Sequence, residues 1–369
     1  MSEVDPIEQE LAQLTGRHGE AWTVEPLLHN KLNAVTGSIA RIVLPGWTAV
    51  LKVLCADGDA LVHWSASDMP SAWNYWLREA LVYEHDVPGL FAPGGIEGPR
   101  LLGVFRRSPG EVALWLEHVA GVPGTEWTIA RHATAARSLG VAQGRLADPS
   151  RRPDHRWLTR GFLRGYSGTR PASWALLDDD VAWSRPLVRD YFPPTLRREM
   201  VRMHAERERW LGLMESLPRT LCHLDVWPHN MLARDDDRTV LVDWSFVGDG
   251  ALGEDVGNLI PDCVFDLFLP ASSLPELDAR VFAAYVEGLR EGGWRGDERV
   301  VRLATCASAI KYDWLTPLML ERATLEEQVD YGGEQPISAE RRYIERGRTL
   351  QFLAAWLDEA RRLADELGV

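Results

Sequence analysis

The chain has 369 residues, 46% hydrophobic and 25% charged. That is enough for a large core built as two or three lobes, and too ordered a composition for a disordered protein. Its formal net charge of -14 argues against a nucleic-acid partner, which needs a basic face, and suits the approach of a cationic small molecule.

In chain order, residues 1–20 read as a helix with a polar face. Short β-rich runs follow at Trp22–Glu25, Ser38–Leu44 and Thr48–Leu54, and Pro45-Gly46 predicts the turn that joins the last two as a hairpin. Residues 70–86 read as a helix capped by Ser71, with an apolar face through Trp73, Trp76, Leu77, Ala80 and Leu81. Two more strands are expected at Arg100–Arg106 and Val112–His118, before a break at Gly121–Gly124. Beyond it the periodicity is helical, over 126–147, 196–217, 274–291, 298–320 and 338–367, the last capped by Ser338. The region 148–195, rich in Arg, Asp and Pro, gives no clear period. Sixteen tryptophans fall mostly in apolar-periodic segments and read as core.

Four scattered cysteines, Cys55, Cys222, Cys263 and Cys306, form no C-x-x-C and fit a reducing compartment. The acidic N-terminal segment is no signal peptide, and no run approaches ~18 apolar residues, the length a membrane span needs. A cytoplasmic protein with no membrane partner is expected.

The chemistry concentrates in Cys222-His223-Leu224-Asp225-Val226-Trp227-Pro228-His229-Asn230, followed thirteen residues after Asn230 by Asp243. Phosphoryl transfer to an alcohol needs a carboxylate to orient the attacking hydroxyl and accept its proton late, a role open to Asp225. Asn230, five residues on, suits a metal-binding oxygen. The apolar strand Thr239–Val242 delivers Asp243 as a second one. Two protein oxygens, completed by phosphates and water, suit Mg²⁺. A lone Asp and Asn at this spacing is more often a turn cap; His223 before them and Asp243 after them favour the functional reading.

The motif H-L-D-V-W-P-H-N with L-V-D-W resembles the aminoglycoside phosphotransferase and choline kinase superfamily, the small-molecule branch of the protein-kinase-like fold. The resemblance spans roughly residues 20–320 and is most specific over 222–260. It implies an α+β, two-lobed fold: an N-terminal helix at 1–20, a small antiparallel β-sheet lobe at 21–117 that binds ATP, and a larger helical lobe at 118–369. It implies ATP and Mg²⁺ as cofactors and a small-molecule hydroxyl as acceptor. His223 becomes a structural support beneath the loop, with Asp255 anchoring the loop from the next helix. Lys52, alone among apolar residues in its strand, needs a counter-charge or a phosphate. The resemblance places it on the ATP phosphates, with Glu79 as its partner. It also implies a phosphate-covering loop at Asn33–Ser38, with Gly37 and Ser38 at its end. The adenine would meet the connector Leu116-Glu117-His118-Val119, where Glu117 and Val119 offer main-chain groups.

Two departures argue against a protein kinase. Leu224 stands where the Arg of H-R-D would be, and only eleven residues separate Asp243 from Asp255. The acceptor is therefore expected to be small. Asp262, Asp266 and Asp313 are candidate contacts, the first two sharing a helix face. Carboxylates there suit an aminoglycoside or amino sugar; a neutral sugar, a cyclitol, a macrolide or a choline-like alcohol are the alternatives. A metal-dependent hydrolase using His223, Asp225 and His229 leaves Asn230, Asp243, Lys52 and Glu79 without a role. A non-catalytic nucleotide binder is the third class.

Overall fold

A computed structural model describes residues 5–57, 64–169, 172–234, 238–324, 328–329 and 336–369. The first four residues of the expected 1–20 helix lie outside that set. Helix α1 (Pro6–Thr15) starts on the Asp5 carboxylate, which accepts the Ile7 N–H, and ends at Gly16 in the left-handed region.

Strands β1 (Thr23–Pro26), β2 (Thr36–Leu44), β3 (Trp47–Cys55), β5 (Leu101–Ser108) and β6 (Glu111–Glu117) form one antiparallel sheet, with β4 (Ile96–Glu97) outside it. The sheet order is β1-β2-β3-β6-β5. Pro45-Gly46 closes β2 onto β3 with Leu44 opposite Trp47, and Gly46 takes the positive φ of 73° that so tight a hairpin requires. One sheet face packs Ile42, Leu51 and Trp115 beneath Leu11 of α1. The other packs Leu54 and Val112 against Trp76 and Ala80.

Helix α2 covers only Arg78–Glu84, not the expected 70–86, and Ser71 caps nothing. Arg78 is the physical reason. Its buried guanidinium donates to the carbonyls of Trp73 at 2.8 Å, Pro70 at 3.0 Å and Ala72, so these face Arg78 rather than serving a helix. The same side chain reaches Trp157 O at 2.7 Å and Ser245 O at 3.0 Å, tying α2 to the helical lobe.

Helix α3 (Ile129–Leu146) lies along the helix Leu274–Glu291. Side chains at Gly140 or Gly288 would strike the partner's backbone, so glycine sets this close approach. The expected 196–217 helix divides into Leu196–Ala205 and Arg207–Ser216. At the break, the Glu206 carboxylate accepts from Arg202, Trp210 and Arg361. The expected 298–320 helix becomes Glu298–Ala307, a tight turn Ser308–Tyr312 and Leu315–Arg322. Pro317 cannot donate to the carbonyl four residues back and crowds it, so the helix must restart there. The expected 338–367 helix is observed as Ala339–Leu367, with the Ser338 hydroxyl accepting from Arg341 N–H. The region 148–195 holds short helices at Phe162–Gly168, Asp180–Ser184 and Pro186–Tyr191.

Small strands position the loops of interest. They are β7 (Val122–Pro123), β8 (Arg219–Cys222), β9 (Met231–Ala233), β10 (Thr239–Leu241) and β11 (Gly248–Ala251). A four-stranded sheet runs β4-β10-β9-β7, and β8 pairs with β11. One apolar core runs beneath both lobes, from Val82 and Leu114 to Trp244, Leu259 and Tyr285. Among the described residues no helix is long and apolar enough to cross a membrane.

Candidate active site

The loop from β8 to β9 opens on a strained turn: Leu224 has φ of 67°, rare for a side chain branched like leucine. Asp255 holds it. Its two carboxylate oxygens accept the N–H groups of His223 at 2.9 Å and Leu224 at 2.8 Å, and Gln143 donates to it at 2.7 Å. Asp255 sits in the first turn of the helix Glu254–Phe265, where the helix dipole favours a carboxylate. His223 is fully buried below the loop. Its Nδ1 accepts Asp225 N–H at 3.3 Å, so the ring proton lies on Nε2 and is donated to Val242 O at 3.2 Å. Burial lowers its pKa to about 4, and the ring is neutral.

Asn230 closes the loop. Its amide donates to the Asp225 carbonyl at 3.1 Å and to the Asp225 carboxylate at 2.8 Å. Burial raises the Asp225 pKa to about 7; Lys311 opposes the rise, and Asp243 and Asp262 add to it. Asp243 follows β10, itself in the left-handed region with φ of 59°. Its Oδ1 accepts from Lys52 Nζ at 2.9 Å and from Ser245 at 2.7 Å. Lys52 comes from mid-β3, opposite Leu114 of β6, and its Nζ also lies 2.6 Å from Glu79 of α2. Burial alone would lower Lys52, but the carboxylates of Asp243 and Glu79 outweigh it and keep it charged. Burial pushes Glu79 up to about 7 against the pull of Lys52. For Asp243 burial pushes upward too, yet Lys52 wins and the net shift is downward. Residues 52, 79, 225, 230 and 243, far apart in sequence, thus meet between the lobes.

The other candidates spread around this centre. Gly37 and Ser38 already belong to β2, at a bulge, so the expected loop ends earlier than Ser38. A Cβ at Gly37 would meet Cys55 Sγ at 2.6 Å. Glu117 ends β6, where its carboxylate takes Arg234 at 3.1 Å and Arg100 N–H at 3.1 Å; Val119 follows, half-buried. Asp262 accepts from Tyr312 OH at 2.8 Å and faces Lys311 Nζ at 3.9 Å. Asp266, at the end of the same helix, pairs with Arg346 at 3.3 Å, whose guanidinium lies over Phe265. Asp313 is buried against Arg207 at 3.1 Å.

Sequence reasoning passed over four residues. Ser245 bonds Asp243, and Arg78 clamps the lobes. Lys311, almost fully buried, donates to Asn258 Oδ1, while the Asn258 amide donates to Val226 O at 3.0 Å beside Asp225. A lysine among apolar neighbours was the signal that singled out Lys52, and Ala309-Ile310-Lys311-Tyr312 carries the same one.

The family model described as "phosphotransferase enzyme family" (APH) matches residues 46–297, and the chain belongs to that family. It is a phosphotransferase with the α+β, two-lobed, kinase-like fold. No curated protein matches the chain. Among solved structures it is similar to amicoumacin kinase hAmiN in complex with AMP-PNP, Ca²⁺ and Ami: 12% identity over 90% of this chain and 88% of that one, TM-score 0.51. It is similar to a choline/ethanolamine kinase family protein from Mesorhizobium loti, at 16% identity over 96% and 98% of the two chains, TM-score 0.50. A thermostable mutant of aminoglycoside phosphotransferase APH(4)-Ia, with AMP-PNP and hygromycin B, matches at 15% identity over 96% and 99%, TM-score 0.50. At these identities the likeness is one of fold.

Proposed function

We propose that the protein is an ATP- and Mg²⁺-dependent kinase that moves the γ-phosphate to a hydroxyl of a small molecule. The observation that carries this is Lys52 Nζ held between Glu79 at 2.6 Å and Asp243 at 2.9 Å, in the cleft where Asn230 bonds Asp225 at 2.8 Å. A buried ammonium fixed by one carboxylate and leaning on a second, more exposed one is ready for phosphate oxygens. Asp225 orients the acceptor hydroxyl and takes its proton late. Residues 21–117 form the nucleotide lobe and 118–369 the acceptor lobe, with helix α1 (Pro6–Thr15) before them. The bulge at Gly37 and Ser38 covers the phosphates, and main chain at Glu117 and Val119 receives the base.

The residues present fit Mg²⁺. Among the described residues no three His, Cys, Asp or Glu side chains form a metal cage. Asn230 and Asp243 offer two oxygens, and Asp243 Oδ1 alone serves Lys52 and Ser245. Bound there, Mg²⁺ would neutralise phosphate charge. The hydrolase reading fails on His223, whose two ring nitrogens both bond backbone.

Of the three acceptor candidates, Asp266 and Asp313 face arginines, which removes most of the argument for an amino sugar. The test is ADP release from Mg-ATP across aminoglycosides, amino sugars, neutral sugars, cyclitols, macrolides and choline, with Asp225→Ala as the blank. One class should stimulate release and lose that effect in the variant. Stimulation that survives in Asp225→Ala would sink the assignment of Asp225.

A further inference from the structure

One helix face fastens the loop on both sides of Asp225. Ahead of it, Asp255 takes the N–H groups of His223 and Leu224. Past it, Asn258, one turn further along the helix Glu254–Phe265, takes the next carbonyl: its Nδ2 donates to Val226 O at 3.0 Å. Val226 and Asn258 are both buried, where a carbonyl left without a donor is costly.

An asparagine amide has a donor end and an acceptor end, and its shape fits either way round. Lys311 decides between them. Its ammonium can only donate, and it takes Asn258 Oδ1, which turns Nδ2 toward Val226. Lys311 comes from the turn Ser308–Tyr312 and is itself buried. Its Nζ lies 5.2 Å from the centre of the Tyr166 ring and 3.9 Å from Asp262, contacts that support the charge. Neither of them orients an amide. The held segment needs holding: Leu224 keeps a φ of 67°, a conformation that persists only where its surroundings over-determine it. A carboxylate that serves phosphoryl transfer works mainly by position, so slack in this turn reaches Asp225 directly.

We propose that Asn258 and Lys311 are positioning residues for Asp225: the ammonium sets the Asn258 amide, and the amide fixes the Val226 carbonyl beside the carboxylate. The effect on turnover rests on the kinase reading; the effect on the loop does not.

The loop is therefore read directly, by hydrogen–deuterium exchange of the segment 222–231, with global stability from urea denaturation alongside. Asn258→Asp keeps an acceptor for Lys311 and removes the donor to Val226. Asn258→Ala removes both and adds no charge. The two should speed exchange of the loop alike, by about tenfold, the worth of one hydrogen bond. Only Asn258→Ala, which strips Lys311 of its acceptor, should also lower global stability markedly. Lys311→Met frees the amide to turn and should speed exchange as well, whereas Lys311→Arg, again a pure donor, should return it toward the wild-type rate. In ADP release from Mg-ATP with the stimulating compound of the acceptor panel, Asn258→Asp should lower kcat about 10–100-fold with little change in KM for ATP. Unchanged loop exchange in Asn258→Asp would overturn the inference, and so would loosening that follows global stability, present in Asn258→Ala alone. A loosened loop with unchanged kcat would also overturn it. Faster exchange in a protein that phosphorylates nothing in the panel would sink the kinase reading and leave the fastening of the loop in place.

Discussion

Lys52 lies between two carboxylates, Glu79 and Asp243, whereas Arg346 and Arg207 each face one, Asp266 and Asp313. Both arrangements are buried ion pairs. They differ in balance. Around Lys52 the fixed charges sum to an excess of one negative, on an Asp243 side chain that keeps 34% of its exposure. Arg346 and Arg207 each sit against one close carboxylate, at 3.3 Å and 3.1 Å. Burying charge is costly unless it is matched, so an unmatched charge in a cleft points to a ligand and a matched one to the fold.

The comparison is tested most severely at Asp225. Replacing it with Asn should lower kcat by about 10²–10⁴-fold, the range lost with a positioned general base, while nucleotide still binds. Near-normal turnover in single-turnover assays would remove it from the chemistry.

The two kinds of pair should then separate. Asp266→Asn leaves Arg346 buried without its counter-charge, and should cost about 3–5 kcal/mol in urea denaturation. Asp243→Asn leaves Lys52 its Glu79, so its stability loss should be smaller. Its Mg²⁺-dependent nucleotide affinity, read by calorimetry with and without Mg²⁺, should fall by at least about 10–100-fold, the range for disturbing a metal's surroundings. Equal effects of the two substitutions on both readouts would break the distinction.

The smallest effect concerns Glu254, buried next to Asp255, with its carboxylate accepting Ala251 N–H at 2.9 Å. Burial raises it from 4.5 to about 7 despite Arg219. Between those values the folded protein keeps a proton that the unfolded chain has lost. The stabilisation is thus full below pH 4.5 and is lost as pH rises through 7. Glu254→Gln should flatten the fall in stability across that window, by at most about 1.4 kcal/mol per pH unit. An unchanged pH profile in urea titrations would move the titration elsewhere.

Much of this was legible because it is local. The run from His223 to Asp243 carries its spacing in the chain, and the Pro45-Gly46 hairpin carries its turn chemistry. The helices over Leu274–Glu291 and Ala339–Leu367 follow from periodicity and, for the second, from its Ser338 cap. The misreadings share a cause. The segment 70–77 has a helical pattern, but Arg78 takes its carbonyls for contacts that also reach Trp157 and Ser245. The segment 298–320 reads as one helix until Pro317 and the packing of Lys311 against Asn258 break it.

By itself, then, the sequence determined the residue types and spacing of a phosphotransferase loop, since backbone turns and strand periods are set by neighbours in the chain. Which carboxylates stay matched was decided only by tertiary structure. The partners of Asp262, Asp266 and Asp313 come from residues 311, 346 and 207, and Coulomb energy depends on distance in space, not on separation along the chain.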